Sequence, residues 1–101
     1  MNFNMLKQAQ ELKSKLDKAQ KELSKMVVEG EAGKGVVKVT MNGQQKILSI
    51  KISPEVINPN KAGDLEKLIL KAIGETSAKS EKMAGQQLKA LTGGIKIPGL
   101  T

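Results

Sequence analysis

Lysine is the residue type in this sequence whose number and spacing could do chemistry. Seventeen basic residues, all lysine, face ten acids in a chain of 101, for a formal net charge of +7. Ammonium groups at this density favour polyanions: DNA, RNA or anionic lipid. Lys7, Lys13 and Lys15 near the N-terminus, and Lys79, Lys82 and Lys89 near the C-terminus, are the candidate phosphate contacts. Catalysis finds little support. Nucleophile–base pairs need an imidazole, a thiol, or a lysine or carboxylate with a displaced pKa. There is no His and no Cys, and the acids stand in Lys-rich stretches where solvation is their ordinary state. The same absences exclude zinc held by thiolate or imidazole. Gly30-Glu31-Ala32-Gly33-Lys34-Gly35 is the nearest approach to a phosphate-cradling loop. It lacks the hydroxyl residue and the glycine spacing of such loops and leads into a strand pattern, so it reads as a hairpin connection. The expectation is a protein that is not an enzyme, with no cofactor, no metal and no small-molecule substrate.

What is missing also narrows the polyanion. Guanine is most often read by the arginine fork, and this chain has no arginine. Stacking on unpaired bases needs aromatic rings, and Phe3 is the sole aromatic residue. Gln8, Gln10, Gln86 and Gln87 read as plain helix-surface residues, and Phe3 as a plug for a gap near the helix start. Double-stranded DNA bound with low sequence specificity is therefore the expected partner. A membrane partner is disfavoured, because no apolar run approaches the ~18 residues of a span and the narrow Ala, Leu and Met face of the first helix lacks Trp or Phe anchors. Without cysteine, a signal peptide or a span, the expected location is the cytoplasm.

The lysines must be held by the elements around them. Residues 4–27 read as one uninterrupted helix that Asn2 or Asn4 could cap. Met5, Ala9, Leu12, Leu16, Ala19, Leu23 and Met26 recur at steps of four and three, a narrow seam like that of paired helices. Such a helix is about 36 Å long against a radius of gyration near 13 Å for a compact domain of this size. Its far turns lack an intrachain partner. A second copy of the chain is the expected one, with those seven residues as the dimer interface.

The period then changes from 3.5 to 2. A strand at residues 27–31 precedes 36–41 and 47–52, the last two flanking Asn42-Gly43, a strong two-residue hairpin signal. A type I′ turn there sets Val37 opposite Leu48 and Lys38 opposite Ile47. Val37, Val39, Met41, Leu48, Ile50 and Ile52 then share one apolar face. A four-residue connection at 32–35 sets Glu29 beside Lys38. Ser53-Pro54-Glu55 closes the sheet, with Ser53 as a cap and Pro54 at a first helical position, and Asn58-Pro59-Asn60 is a second break. A second helix spans 61–91, apolar in its first half and small or polar in its second. Charge follows the helices: residues 1–28 hold six lysines and three acids, and 76–101 hold four and one. One domain at 1–92 is followed by a Gly/Pro-containing tail at 93–101, expected to be flexible.

The segments NMLKQAQELKSKLDKAQKEL, VEGEAGKGVVKVTMNGQQKILSIKISPEV and the terminal GGIKIPGL resemble the YbaB/EbfC family of bacterial nucleoid-associated proteins, and the likeness runs the length of the chain. The resemblance implies an α+β fold, a three-stranded antiparallel β-meander flanked by long N- and C-terminal helices. It further implies a tweezer-like homodimer in the nucleoid that alters DNA conformation and takes part in gene regulation. The alternative reading is a helical protein–protein interaction module, partner of a replication or repair protein, without direct DNA binding.

Overall fold

The switch from helical to alternating periodicity falls at Met26, and there the computed structural model turns from helix into sheet. It describes residues 3–91. Helix α1 (Phe3–Lys25) leads into strands β1 (Val27–Ala32), β2 (Val37–Asn42) and β3 (Ile47–Ile52). Two single 3-10 turns, Pro54–Val56 and Pro59–Lys61, then lead into helix α2 (Ala62–Leu91). The strands form one antiparallel sheet in the order β1-β2-β3. This is the α+β helix–meander–helix expected from the sequence. The expected tail at 93–101, and the Asn2 cap, lie outside the described residues; Asn4 stands inside the helix rather than at its cap.

Alternation along β2 sends Val37, Val39 and Met41 to one face, where all three are buried. Helix α2 covers that face. Ala72 completes a cluster with Ala32, Val37 and Val39, ringed by Leu65, Leu68, Ile69 and Ile73. Burying a side chain of Val or Met size stabilises by about 1.5–3 kcal/mol. Close approach of α2 to the sheet rests on small residues. A Cβ at Gly30 would lie 2.7 Å from the Thr76 backbone nitrogen. Thr76 and Ser80 are fully buried, yet neither hydroxyl is left unpaired. Thr76 Oγ1 donates to the Ala72 carbonyl at 2.6 Å, and Ser80 Oγ to the Asn42 carbonyl at 2.7 Å. The small, polar stretch of α2 is thus the part that lies tightest on the sheet.

Both strand registers differ from the expectation. Val37 pairs with Ile52, Val39 with Ile50 and Thr40 with Ser49, with an irregularity between Thr40 and Met41. Asn42-Gly43 does not make a two-residue turn, because both residues are taken by the end of α1. The Gly43 amide donates to the Leu23 carbonyl at 2.8 Å and the Met26 carbonyl at 3.0 Å, and Asn42 Nδ2 donates to the Ser24 carbonyl at 3.3 Å. Asn42 Oδ1 in turn accepts from the Gln44 and Lys46 amides at 2.9 and 3.0 Å. The connection lengthens, with Gln45 at φ 62°, so that it caps a helix as well as reversing a strand. On the other side, Lys38 pairs with Glu31 rather than Glu29. Three successive left-handed residues, Gly33, Lys34 and Gly35, make the turn one residue later than expected and leave Ala32 in the strand. The facing of the apolar residues of β2 survives both shifts.

The molecule measures 67 × 22 × 20 Å with a radius of gyration of 19.0 Å. A compact domain of this length has about 13 Å. The excess is the helices: Phe3 is 89% and Met5 68% exposed. Phe3 therefore plugs no gap in the chain. It stands on a turn of α1 that the body does not reach.

Candidate nucleic-acid interface

The lysines are placed by how α1 and α2 are held at the sheet. Ala19 and Leu23 are buried and mark the inward side of α1. Gly43 closes on Leu23, Gln44 Nε2 donates to the Gln20 carbonyl at 3.2 Å, and Gln87 Nε2 of α2 donates to Glu22 Oε2 at 2.7 Å. These contacts fix the C-terminal half of α1 between the β2–β3 connection and α2. Of the residues expected to form a dimer seam, Ala19 and Leu23 thus pack within the chain itself. Leu12 and Met26 are half-buried, while Met5, Ala9 and Leu16 are exposed.

With the inward side known, helical geometry orients the lysines. Successive residues turn by about 100°, so Lys21, two residues from both Ala19 and Leu23, lies about half a turn away from them. Lys7, Lys18 and Lys25 fall on the same outward side, and all four are exposed. They form a ridge about 27 Å long, with Lys7 and Lys25 at its ends. Lys13 is exposed on the flank of α1, and Lys15, four residues before Ala19, borders its inward side. Lys18, Lys21 and Lys25 were absent from the expected contacts. The signal that finds them is the seam itself, read half a turn round.

On α2, Gln87 marks the side facing α1. Lys82 and Lys89, seven residues apart and both exposed, lie about 140° and 200° round from it, on the far side. Lys79 is engaged differently. Its Nζ donates to the Glu29 carbonyl at 2.8 Å and lies 3.4 Å from Glu75 Oε1, so its ammonium ties α2 to β1. Within one chain the six expected lysines are therefore not brought to one face. The two helices carry their lysines on sides turned away from each other, and an ammonium array of this kind can neutralise phosphates by charge without forming a pocket. Among the described residues no group of three or more acidic residues is placed to hold a metal ion, and no helix is long and apolar enough to cross a membrane.

Comparison with known proteins agrees with the fold. The profile of the YbaB/EbfC DNA-binding family matches residues 1–95. A nucleoid-associated protein of Caldanaerobacter subterraneus subsp. tengcongensis is 40% identical over 97 residues, covering 96% of this chain and 87% of that protein. A nucleoid-associated protein of Chloroflexus aggregans is 43% identical over 97 residues, covering 95% and 97% of the two. The crystal structure of an uncharacterized protein from Helicobacter pylori superposes with a TM-score of 0.77 over 92% of this chain and 99% of that one. At 15% identity that likeness concerns the fold alone.

Proposed function

The chain belongs to the YbaB/EbfC DNA-binding family, and we propose that it binds duplex DNA in the nucleoid as a homodimer of low sequence specificity, altering DNA conformation and thereby gene expression. The observation that carries this reading is the pair of helices whose outward sides are lined with exposed lysine. Each ammonium that neutralises a phosphate releases condensed counterions, which gives affinity that reads no sequence. Lys7, Lys13, Lys15, Lys82 and Lys89 are the contacts, with Lys18, Lys21 and Lys25 added from the ridge on α1. Lys79 contributes less, since its ammonium already serves the Glu29 carbonyl. Base reading is weak for want of arginine.

A panel of unrelated duplexes titrated with the wild type and with the triple variant Lys18→Ala/Lys21→Ala/Lys25→Ala tests the reading. Similar wild-type affinities across the panel are expected, with a loss in the variant that is the same for every sequence. A variant that binds every duplex as the wild type does would remove the ridge from the interface.

The exposed Phe3 and Met5 favour one other reading, a helical module that docks a partner protein. It predicts an assembled protein that ignores DNA altogether.

A further inference from the structure

Aromatic rings are the apolar groups that usually dominate a core, and this chain has one, Phe3. Among the described residues the buried hydrophobic positions hold only Ala, Val, Leu and Met. The ring of Phe3 stands in solvent instead, and Leu6 beside it is 43% exposed.

Its place on α1 decides what can cover it. Phe3 precedes Lys21 by eighteen residues, about five whole turns, so the ring heads the outward line of the lysine ridge. Lys7 follows it at a step of four, about 6 Å along the axis and about 40° round. Ala19 and Leu23 face the body from the opposite side, about half a turn away. Met5, Ala9, Leu12 and Leu16 fall on their side of the helix. Any helix laid on that seam covers Met5 and leaves Phe3 outside.

Charge says what the ring meets. The first turn of α1 holds no acid, and from Phe3 to Gln10 the only charged side chain is Lys7. Lys18, Lys21 and Lys25 continue the same line, all exposed. A polyanion lying along the ridge and reaching Lys7 is therefore within one helical turn of the ring. A lipid surface asks for a broad apolar face with several anchors, and Phe3 with Leu6 is a single narrow point. A duplex offers apolar space between stacked base pairs, where isolated Phe, Leu, Ile or Met side chains enter from the minor groove. That groove is about 6 Å wide, too narrow for a helix about 10 Å across but open to one ring at its tip.

We propose that Phe3 is a wedge that enters a base-pair step of duplex DNA from the minor groove, with Lys7 holding the phosphate beside it. This rests on the duplex binding of the proposed function and names the residue that deforms the DNA. The inserted ring partly unstacks the step and kinks the duplex towards its major groove. Unstacking is easiest at TA and CA steps, so the wedge favours flexible sequence without reading a base edge. A shape preference of that kind needs no arginine.

The probe is a mixed-sequence duplex with one central TA step, dye-labelled at both ends and carrying in that step a fluorescent adenine analogue that brightens when unstacked. The full chain is titrated as wild type, Phe3→Ala and Phe3→Leu. Wild type is expected to raise end-to-end energy transfer and to brighten the analogue. Phe3→Ala is expected to bind within about tenfold of wild type with the same salt slope, since every lysine is kept. It should lose at least about half of both signals, whereas Phe3→Leu, still an apolar wedge, should keep most of them. Helix content by circular dichroism should match in all three, as expected for a side chain 89% exposed. A Phe3→Ala variant that bends and brightens the duplex as wild type does overturns the wedge and leaves duplex binding standing. Wild-type binding with neither signal does the same. A wild type that binds no duplex at any salt overturns both, and is the outcome expected if Phe3 docks a partner protein instead.

Discussion

Along the β1 edge, α2 reaches over and engages the backbone: Lys79 donates to the Glu29 carbonyl, and Glu75 accepts from the Glu31 amide at 3.4 Å. Along β3 no described residue does the same, and four of its six side chains, Ile47, Leu48, Ile50 and Ile52, are apolar. One helix therefore finishes one edge of the sheet and leaves the other open. The cause lies in sequence. Gly30 lets α2 sit down on β1 and β2, and that close seat leaves β3 beyond its reach. An edge sealed by the chain's own charges needs no partner, whereas an apolar edge is an assembly surface or an aggregation hazard. The two edges can be tested separately.

The largest effect is expected at the seat itself. Gly30→Ala forces a methyl group against the Thr76 backbone, which cannot swing aside, and should cost about 3 kcal/mol, read from the urea midpoint. Next comes the connection between β2 and β3. Asn42→Ala removes the acceptor for the Gln44 and Lys46 amides and the donor to Ser24, for a loss of about 2 kcal/mol. Helicity should fall with it as the end of α1 loosens, a change visible by circular dichroism. At the sealed edge, Lys79→Ala should lower stability by about 1 kcal/mol. Its effect on duplex affinity should be smaller than that of any one lysine of the α1 ridge, as measured by fluorescence titration. The smallest effect belongs to the open face of the sheet, where Lys38 stands opposite Lys51. Lys51→Thr should raise stability by a few tenths of a kcal/mol (about 0.3), a gain that shrinks as salt is added.

Elements were legible in the sequence because periodicity and turn residues act locally. The stripe on α1, the alternation in β2 and the two proline breaks place every element within a residue or two. Register was not legible, since Asn42 and Gly43 carry a strong local hairpin signal that a distant helix end overrides. Nothing near residue 42 in sequence announces that Leu23 and Ser24 will be waiting for its polar groups. The candidate site divides in the same way. Lysine number and the absence of arginine pointed to the class of partner without any structure. Which lysines face outward depended on knowing that Ala19 and Leu23 turn inward, and Lys79 looked like its neighbours until its ammonium was found on the Glu29 carbonyl. The seam of α1 read as a contact between copies, yet its buried residues close on the chain's own β2–β3 connection.

Salt dependence of duplex binding by the wild-type chain is the decisive measurement. With ammonium groups on phosphates as the source of affinity, log Kobs against log salt should descend with a slope of several units, about 0.9 for each phosphate neutralised. A flat plot, or no binding at low salt by a correctly folded dimer, would contradict it.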